Sequence, residues 1–117
     1  MTFQKNEQLA ACKLYGFTPD KYCSSSDSDI IGIVEAQLRG GVDIIQLREK
    51  QMPARRKLAL AIKIKELCRY YGKLFIVNDD ILIAKYSNAD GVHLGQDDME
   101  PKYAYEQLGA DKIIGLS

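Results

Sequence analysis

Apolar residues along the chain change their spacing repeatedly, and each change marks an element. Ile30, Val34 and Leu38 recur every four positions, the spacing that stacks side chains on one face of an α-helix. The preceding "SSSDSD" (24–29) reads as loop and N-cap, because Ser and Asp oxygens accept hydrogen bonds from the open amides of a first helical turn. Gly40 and Gly41 stop that helix. Elsewhere the pattern shortens to compact apolar runs that read as strands: "KLYGFT" (13–18), "VDIIQL" (42–47), "LFIV" (74–77), "GVHL" (91–94) and "KIIGL" (112–116). Between these runs, a long helical pattern through Leu58, Ile62 and Leu67 begins near Pro53 and ends at Gly72. A short helix follows over 81–87, and another over 101–108 is closed by Gly109. Five strands alternating with four helices imply right-handed βαβ crossovers and an α/β fold with a parallel sheet.

The strand endings carry the chemistry. In "IIQLREK" (44–50) the side chains alternate, so Gln46, Arg48 and Lys50 share one face while Ile45 and Leu47 take the other. Strands of a parallel sheet are normally continuous apolar runs, and an unpaired buried charge is costly. The polar row must therefore face a polar cavity, and it sits at the C-terminal end of its strand, where α/β folds build their sites. "LFIVNDD" leaves Asn78, Asp79 and Asp80 beyond its apolar run, and "GVHLGQDD" leaves Gln96, Asp97 and Asp98 beyond its own. With neighbouring strands about 4.8 Å apart, carboxylates from successive tips can meet. Oxygen ligands without sulfur suit Mg²⁺, which takes one or two protein carboxylates and the phosphates of a substrate. Lys50 and Arg48 would approach those phosphates from the other side. The pattern points to a metal-bound diphosphate.

Plainer roles compete for some of these residues. Asp80 and Asp97, each taken alone, fit helix caps. His93, the single histidine, lies mid-strand, where a hydrogen-bonded structural role competes with that of a base. Tyr70, Tyr71, Tyr103 and Tyr105 fall at helical positions and are expected to pack.

Composition narrows the field further. A chain of 117 residues, 46% of them hydrophobic, suffices for one domain and not two. Sixteen basic and sixteen acidic residues cancel, which disfavours nucleic acid or an acidic membrane surface as a partner. No apolar run has the length of a signal peptide or a bilayer span, so the expected location is cytoplasmic. Cys12, Cys23 and Cys68 show no metal-ligand spacing and read as reduced thiols, with Cys68 a core position beside Leu67.

"GGVDIIQLREK", "LFIVNDD", "ADGVHLGQDDM" and "IIGLS" occur in this order, and together they closely resemble the thiamine phosphate synthase family over residues 14–117. The resemblance implies a (β/α)₈ barrel that joins hydroxymethylpyrimidine diphosphate to thiazole phosphate with release of diphosphate, using Mg²⁺. It assigns Gln46, Lys50, Asn78 and Ser117 to the diphosphate, with Arg48 as a further member of the row, and Asp79 and Asp98 to the metal. Catalysis on this pattern is electrostatic, through Lys50 and Arg48, with no nucleophile or base. Because such barrels need about 200 residues or more, residues 1–117 are expected to be the amino-terminal portion of one barrel domain, a partial barrel with exposed strand edges and an uncovered sheet face. Its expected partner is another copy of itself or the missing carboxy-terminal half. Two other readings stay open: a non-catalytic half-barrel that binds phosphate or self-associates, and a thiazole tautomerase-like enzyme.

Overall fold

Helix follows strand throughout the computed structural model, which describes residues 15–18, 26–48, 52–95, 101–109 and 111–116. The order is β1 (Tyr15–Phe17), α1 (Asp27–Arg39), β2 (Ile44–Leu47), α2 (Ala54–Tyr71), β3 (Leu74–Asn78), α3 (Ile81–Tyr86), β4 (Gly91–Leu94), α4 (Pro101–Leu108) and β5 (Ile113–Leu116). Local chemistry sets the helix ends. Ser26 caps α1, its Oγ accepting from the Asp29 amide at 3.2 Å, while Asp27 and Asp29 in the first turn and Arg39 in the last complement the helix dipole. Helix α2 starts after Pro53, whose φ of −57° suits a helix entrance. It ends on Gly72 at φ 69°, the left-handed conformation that glycine adopts without steric cost.

All strand pairs are parallel, and the sheet order is β1-β2-β3-β4-β5. Alternation divides the sheet into two faces. Ile45, Leu47, Phe75, Val77, Val92 and Leu94 join Ile30, Val34 and Leu38 of α1 and Leu60, Ile64 and Cys68 of α2 in one core. The opposite face holds a separate strand-only cluster of Ile44, Leu74, Ile76 and Ile113. Sequential strand order with the helical core on one face is the arrangement of a (β/α)-barrel wall, not of a doubly wound sheet, whose order reverses at a switch point and whose helices cover both faces.

No helix among the described residues packs on this second face, called helix-free below, yet it is more shielded than an uncovered sheet suggests. Ile44 is 1%, Leu74 2% and Ile76 3% exposed, and the three pack together with Ile113. Gly91 permits the closest of these approaches: a Cβ there would run into the Ile113 carbonyl oxygen and stand 2.7 Å from the Ile113 Cβ.

Helix α2 corrects the expected core face. Its buried residues are Lys57, Leu60, Ala61, Ile64 and Cys68, whereas Ile62 is 41% exposed and Leu58 and Leu67 are only half-buried. The step of five from Ile62 to Leu67 turns a side chain roughly 140° about the axis, so that series leaves the sheet-facing stripe. The tyrosines also depart from expectation. Tyr70 is 82% exposed, and Tyr103 and Tyr105 are exposed too. Tyr71 works through its hydroxyl, which donates to Glu35 at 3.1 Å and accepts from Arg39 Nε at 3.2 Å, linking α2 to α1.

Ion pairs secure the N-terminal ends of the strands. Asp90, 4% exposed, accepts from the Phe75 amide at 2.8 Å and from Lys65 Nζ at 3.1 Å, tying α2, β3 and the entry to β4 together. Lys73 and Asp43 pair at 3.0 Å ahead of β3 and β2. No helix among the described residues is long and apolar enough to cross a membrane.

Two stability predictions follow from this lower half. Asp90→Ala strands the Phe75 amide and the Lys65 ammonium, and should lower the unfolding free energy by about 3–5 kcal/mol in urea titrations; a loss below about 1 kcal/mol would contradict the network. Cys68 is fully buried, and burial first, then the Asp90 charge, push its thiol up to about 12, against a smaller lowering by Lys65. The raised value favours the neutral thiol in the folded state, so its stabilising effect is complete below the ordinary thiol value of 9.0 and is lost as pH climbs toward about 12. Urea midpoints of the native chain should therefore fall more steeply between pH 8 and 11 than those of Cys68→Ala, and parallel slopes would refute the shift.

Candidate functional site

Register places the helix-free side chains in three rows. Tyr15, Ile44 and Leu74 form the first, and Phe17, Gln46, Ile76, Gly91 and Ile113 the second. Asn78, His93 and Gly115 form the third, nearest the C-terminal tips. The face thus turns from apolar to polar along the strand direction, as the sequence spacing of Gln46 and Arg48 requires.

A cavity of about 340 Å³ opens on these rows, lined by Tyr15, Phe17, Gln46, Arg48, Asn78 and His93. The Tyr15 and Phe17 rings stack at 5.1 Å. Gln46, 4% exposed, donates from Nε2 to the Tyr15 hydroxyl at 2.8 Å, which satisfies a buried amide and fixes its direction. Arg48 is exposed at the mouth. Its backbone is held in place because its amide donates to Thr18 Oγ1 at 2.9 Å, and the Thr18 amide donates to the Gln46 carbonyl at 3.0 Å. His93 owes its room to Gly115, where a Cβ would stand 2.7 Å from the imidazole Nδ1.

A second cavity, of about 420 Å³, lies on the other side of Asn78 and is lined by Lys57, Asn78, Asp79, Asp80, Ile81, Leu82 and Tyr103. Between the two runs a tight turn. The Asp80 amide donates to the Asn78 carbonyl at 2.8 Å across Asp79, whose φ is 66°. An i to i+2 hydrogen bond about a positive-φ residue is the rarer, strained form of γ-turn. Such a conformation for a residue other than glycine costs about 1 kcal/mol or more and persists where surrounding contacts enforce it. Here they are specific: the Asp79 amide donates to the His93 carbonyl at 2.8 Å, Asp79 Oδ2 accepts from Asn78 Nδ2 at 2.9 Å, and Asp79 Oδ1 accepts from the Gly95 amide at 3.3 Å. Asp80 fills the capping role: its Oδ1 accepts from the Ile83 amide at 3.1 Å, while Oδ2 lies 3.7 Å from Lys57 Nζ.

Of the residues expected to form the site, Gln46, Arg48 and Asn78 share the first cavity, and Asn78 and Asp79 share the second. Lys50, Asp98 and Ser117, together with Gln96 and Asp97, lie outside the described residues, as do Cys12 and Cys23. The donor set at the β3 tip fits a hard cation: the Asp79 oxygens are carboxylate and no sulfur lines either cavity. No group of three or more His, Cys, Asp or Glu side chains is clustered for metal binding among the described residues. A Mg²⁺ ion held chiefly by one or two carboxylates, water and substrate phosphate does not require one. Sequence reasoning passed over Tyr15 and Lys57 and expected Tyr103 only to pack, whereas it lines the second cavity. Lys57 left a signal, because it occupies the sheet-facing stripe of α2 with Leu60, Ala61 and Ile64.

The structure so far defines a (β/α)-barrel wall with a polar site at the C-terminal strand tips. Residues 14–117 match the family model described as thiamine monophosphate synthase, and the chain belongs to that family. It is 48% identical over 94 residues to the thiamine-phosphate synthase of Campylobacter jejuni, a match that covers 80% of this chain and 45% of the relative. It is 39% identical over 120 residues to that of Caldicellulosiruptor saccharolyticus, covering 100% of this chain and 53% of the relative. Among solved structures, thiamine phosphate pyrophosphorylase from Pyrococcus furiosus superposes with a TM-score of 0.78 at 34% identity, over 90% of this chain and 49% of that one. A rubisco-like protein from Burkholderia fungorum, with a TM-score of 0.60 at 13% identity, shares the fold alone. The chain spans about half the length of the curated relatives it matches.

Gly115→Ala tests the packing of the third row. The added methyl should displace the His93 imidazole, seen as a shift of its ring resonances, and lower stability by about 1–3 kcal/mol, the range for overpacking. Unchanged resonances would show that the glycine is not what makes room for the ring.

Proposed function

We propose that this chain carries the β1–β5 portion of a thiamine phosphate synthase site, and that it acts in the cytoplasm on hydroxymethylpyrimidine diphosphate and thiazole phosphate. The observation that supports this best is the strained turn at Asp79, which places a carboxylate on the larger cavity at the strand tips, beside the Asn78 that lines both cavities. The aromatic and amide lining of Tyr15, Phe17, Gln46, Asn78 and His93 suits a flat heteroaromatic ring with hydrogen-bonding edges. On this reading the ring lies in the smaller cavity and its diphosphate lies toward Arg48, Lys50 and Ser117.

Asp79 and Asp98 would hold Mg²⁺, which when bound supplies charge neutralisation for the departing diphosphate. The chain's own residues hold the reactants in line. The carbon–oxygen bond to the diphosphate breaks with its electron pair leaving on oxygen, and the thiazole nitrogen donates a pair to the same carbon. Arg48 and Lys50 stabilise the negative charge that develops on the leaving group, with no proton transfer demanded of His93. The helix-free face and the β1 and β5 edges would be completed by further βα units, from a longer chain or from a second copy.

The test combines both precursors with Mg²⁺ and follows thiamine phosphate, using this chain and a version extended through the remaining barrel units. The extended chain should make product. Its failure would reject the assignment. Asp79→Asn in the extended chain should cut kcat/KM by about 100-fold or more, the scale for removing a group that stabilises transition-state charge; unaltered turnover would remove Asp79 from the site.

A further inference from the structure

The α2 lysine beside the strained turn is unexplained by packing. Lys57 is 8% exposed on the stripe of α2 that otherwise buries Leu60, Ala61, Ile64 and Cys68. An apolar side chain there would be as good or better for stability, because a desolvated ammonium recovers little from a single ion pair. The pair it makes is also long, 3.7 Å from Nζ to Asp80 Oδ2, which marks an orienting contact more than a strong bond. Asp80 is committed at its other oxygen to the Ile83 amide, so the ammonium engages the oxygen left over by the cap. The carboxylate of Asp80 is thereby gripped from both sides, by α3 and by α2, and Asp80 is the residue that closes the turn over Asp79.

We propose that Lys57 is a positioning residue. Through Asp80 it holds the 78–80 turn in the conformation that presents the Asp79 carboxylate to a divalent cation. This rests on the reading of Asp79 as part of a Mg²⁺–diphosphate site. Besides the Asn78 and Gly95 contacts to the Asp79 carboxylate, the turn is anchored by the Asp79 amide on the His93 carbonyl of β4, the Asp80 cap on α3 and Lys57 from α2. Lys57 is the side chain among these that reaches the turn from α2, joining that helix to the turn as the Asp80 cap joins α3. Lys57 also lines the 420 Å³ cavity together with Asp79, so its charge limits how many cations that cavity accepts and keeps the two carboxylates from repelling one another apart.

The test uses the ¹⁵N-labelled 117-residue chain with Lys57→Met, which keeps the apolar stem, and Lys57→Arg, which keeps the charge. Amide hydrogen exchange reads the turn and Mn²⁺ titration reads the cation affinity. In Lys57→Met, exchange at the Asp79, Asp80 and Ile83 amides should quicken about tenfold, with the Phe75 and Ile113 amides unchanged. Mn²⁺ affinity should fall about tenfold, the lower end of the range for losing an outer support of a metal ligand. Lys57→Arg should restore both. Asp80→Asn keeps the cap but removes the ammonium's partner, and in that background Lys57→Met should have no further effect on either readout. Unaltered exchange at the turn, or an even rise across the whole chain, overturns the proposal. If the native chain holds no Mn²⁺ while the local exchange effect and its rescue appear, Lys57 does hold the turn and the metal reading of Asp79 fails instead.

Discussion

Burying one sheet face under the helices is the constraint on which the rest depends. Ile45 and Leu47 of β2, Phe75 and Val77 of β3, and Val92 and Leu94 of β4 all pack into the helical core. With that set committed, strand geometry leaves no choice for the alternate residues: Gln46, Asn78 and His93 must stand on the other face, Gln46 level with Ile76 and Asn78 level with His93 one row nearer the tips. A slip of one residue in any strand would exchange a core side chain for a site side chain. The polar cavity is therefore specified by the apolar core on the far side of the sheet.

Stability and site chemistry occupy opposite ends of that sheet. Asp90 with Lys65 and Asp43 with Lys73 hold the N-terminal ends. The C-terminal ends carry the positive-φ aspartate, the two cavities and the exposed Arg48. This division is common to barrel folds, in which the strand and helix framework supports loops free to carry strained or charged groups. The strain at Asp79 is tolerable because three contacts from β4, α3 and α2 meet on a turn only a few atoms long.

The helix-free face has a double character. Its lower rows are mainly apolar, with Ile44, Leu74, Ile76 and Ile113 buried between the strands, and its top row carries the polar Asn78 and His93 on the cavity. In a family member about twice this length, further βα units would extend both parts at once, because the same alternation would continue from strand to strand.

Much of this was written in local spacing. Strand and helix order, the parallel sheet, the shared face of Gln46 and Arg48, the cap at Asp80 and the buried thiol of Cys68 all follow from periodicities of two and 3.6 residues and from side chains that bond their own backbone, each of which acts within a few residues of chain. Spacing did not show which stripe of α2 meets the sheet, that Tyr70 stands in solvent, or that Lys57 reaches Asp80 twenty-three positions away. Nor did it reveal the left-handed turn at Asp79 or the space that Gly115 clears for His93. Those outcomes depend on which elements touch. A helix exposes several nearly apolar stripes, and a turn can satisfy its amides in several ways, so the choice falls to the neighbours that packing brings against them.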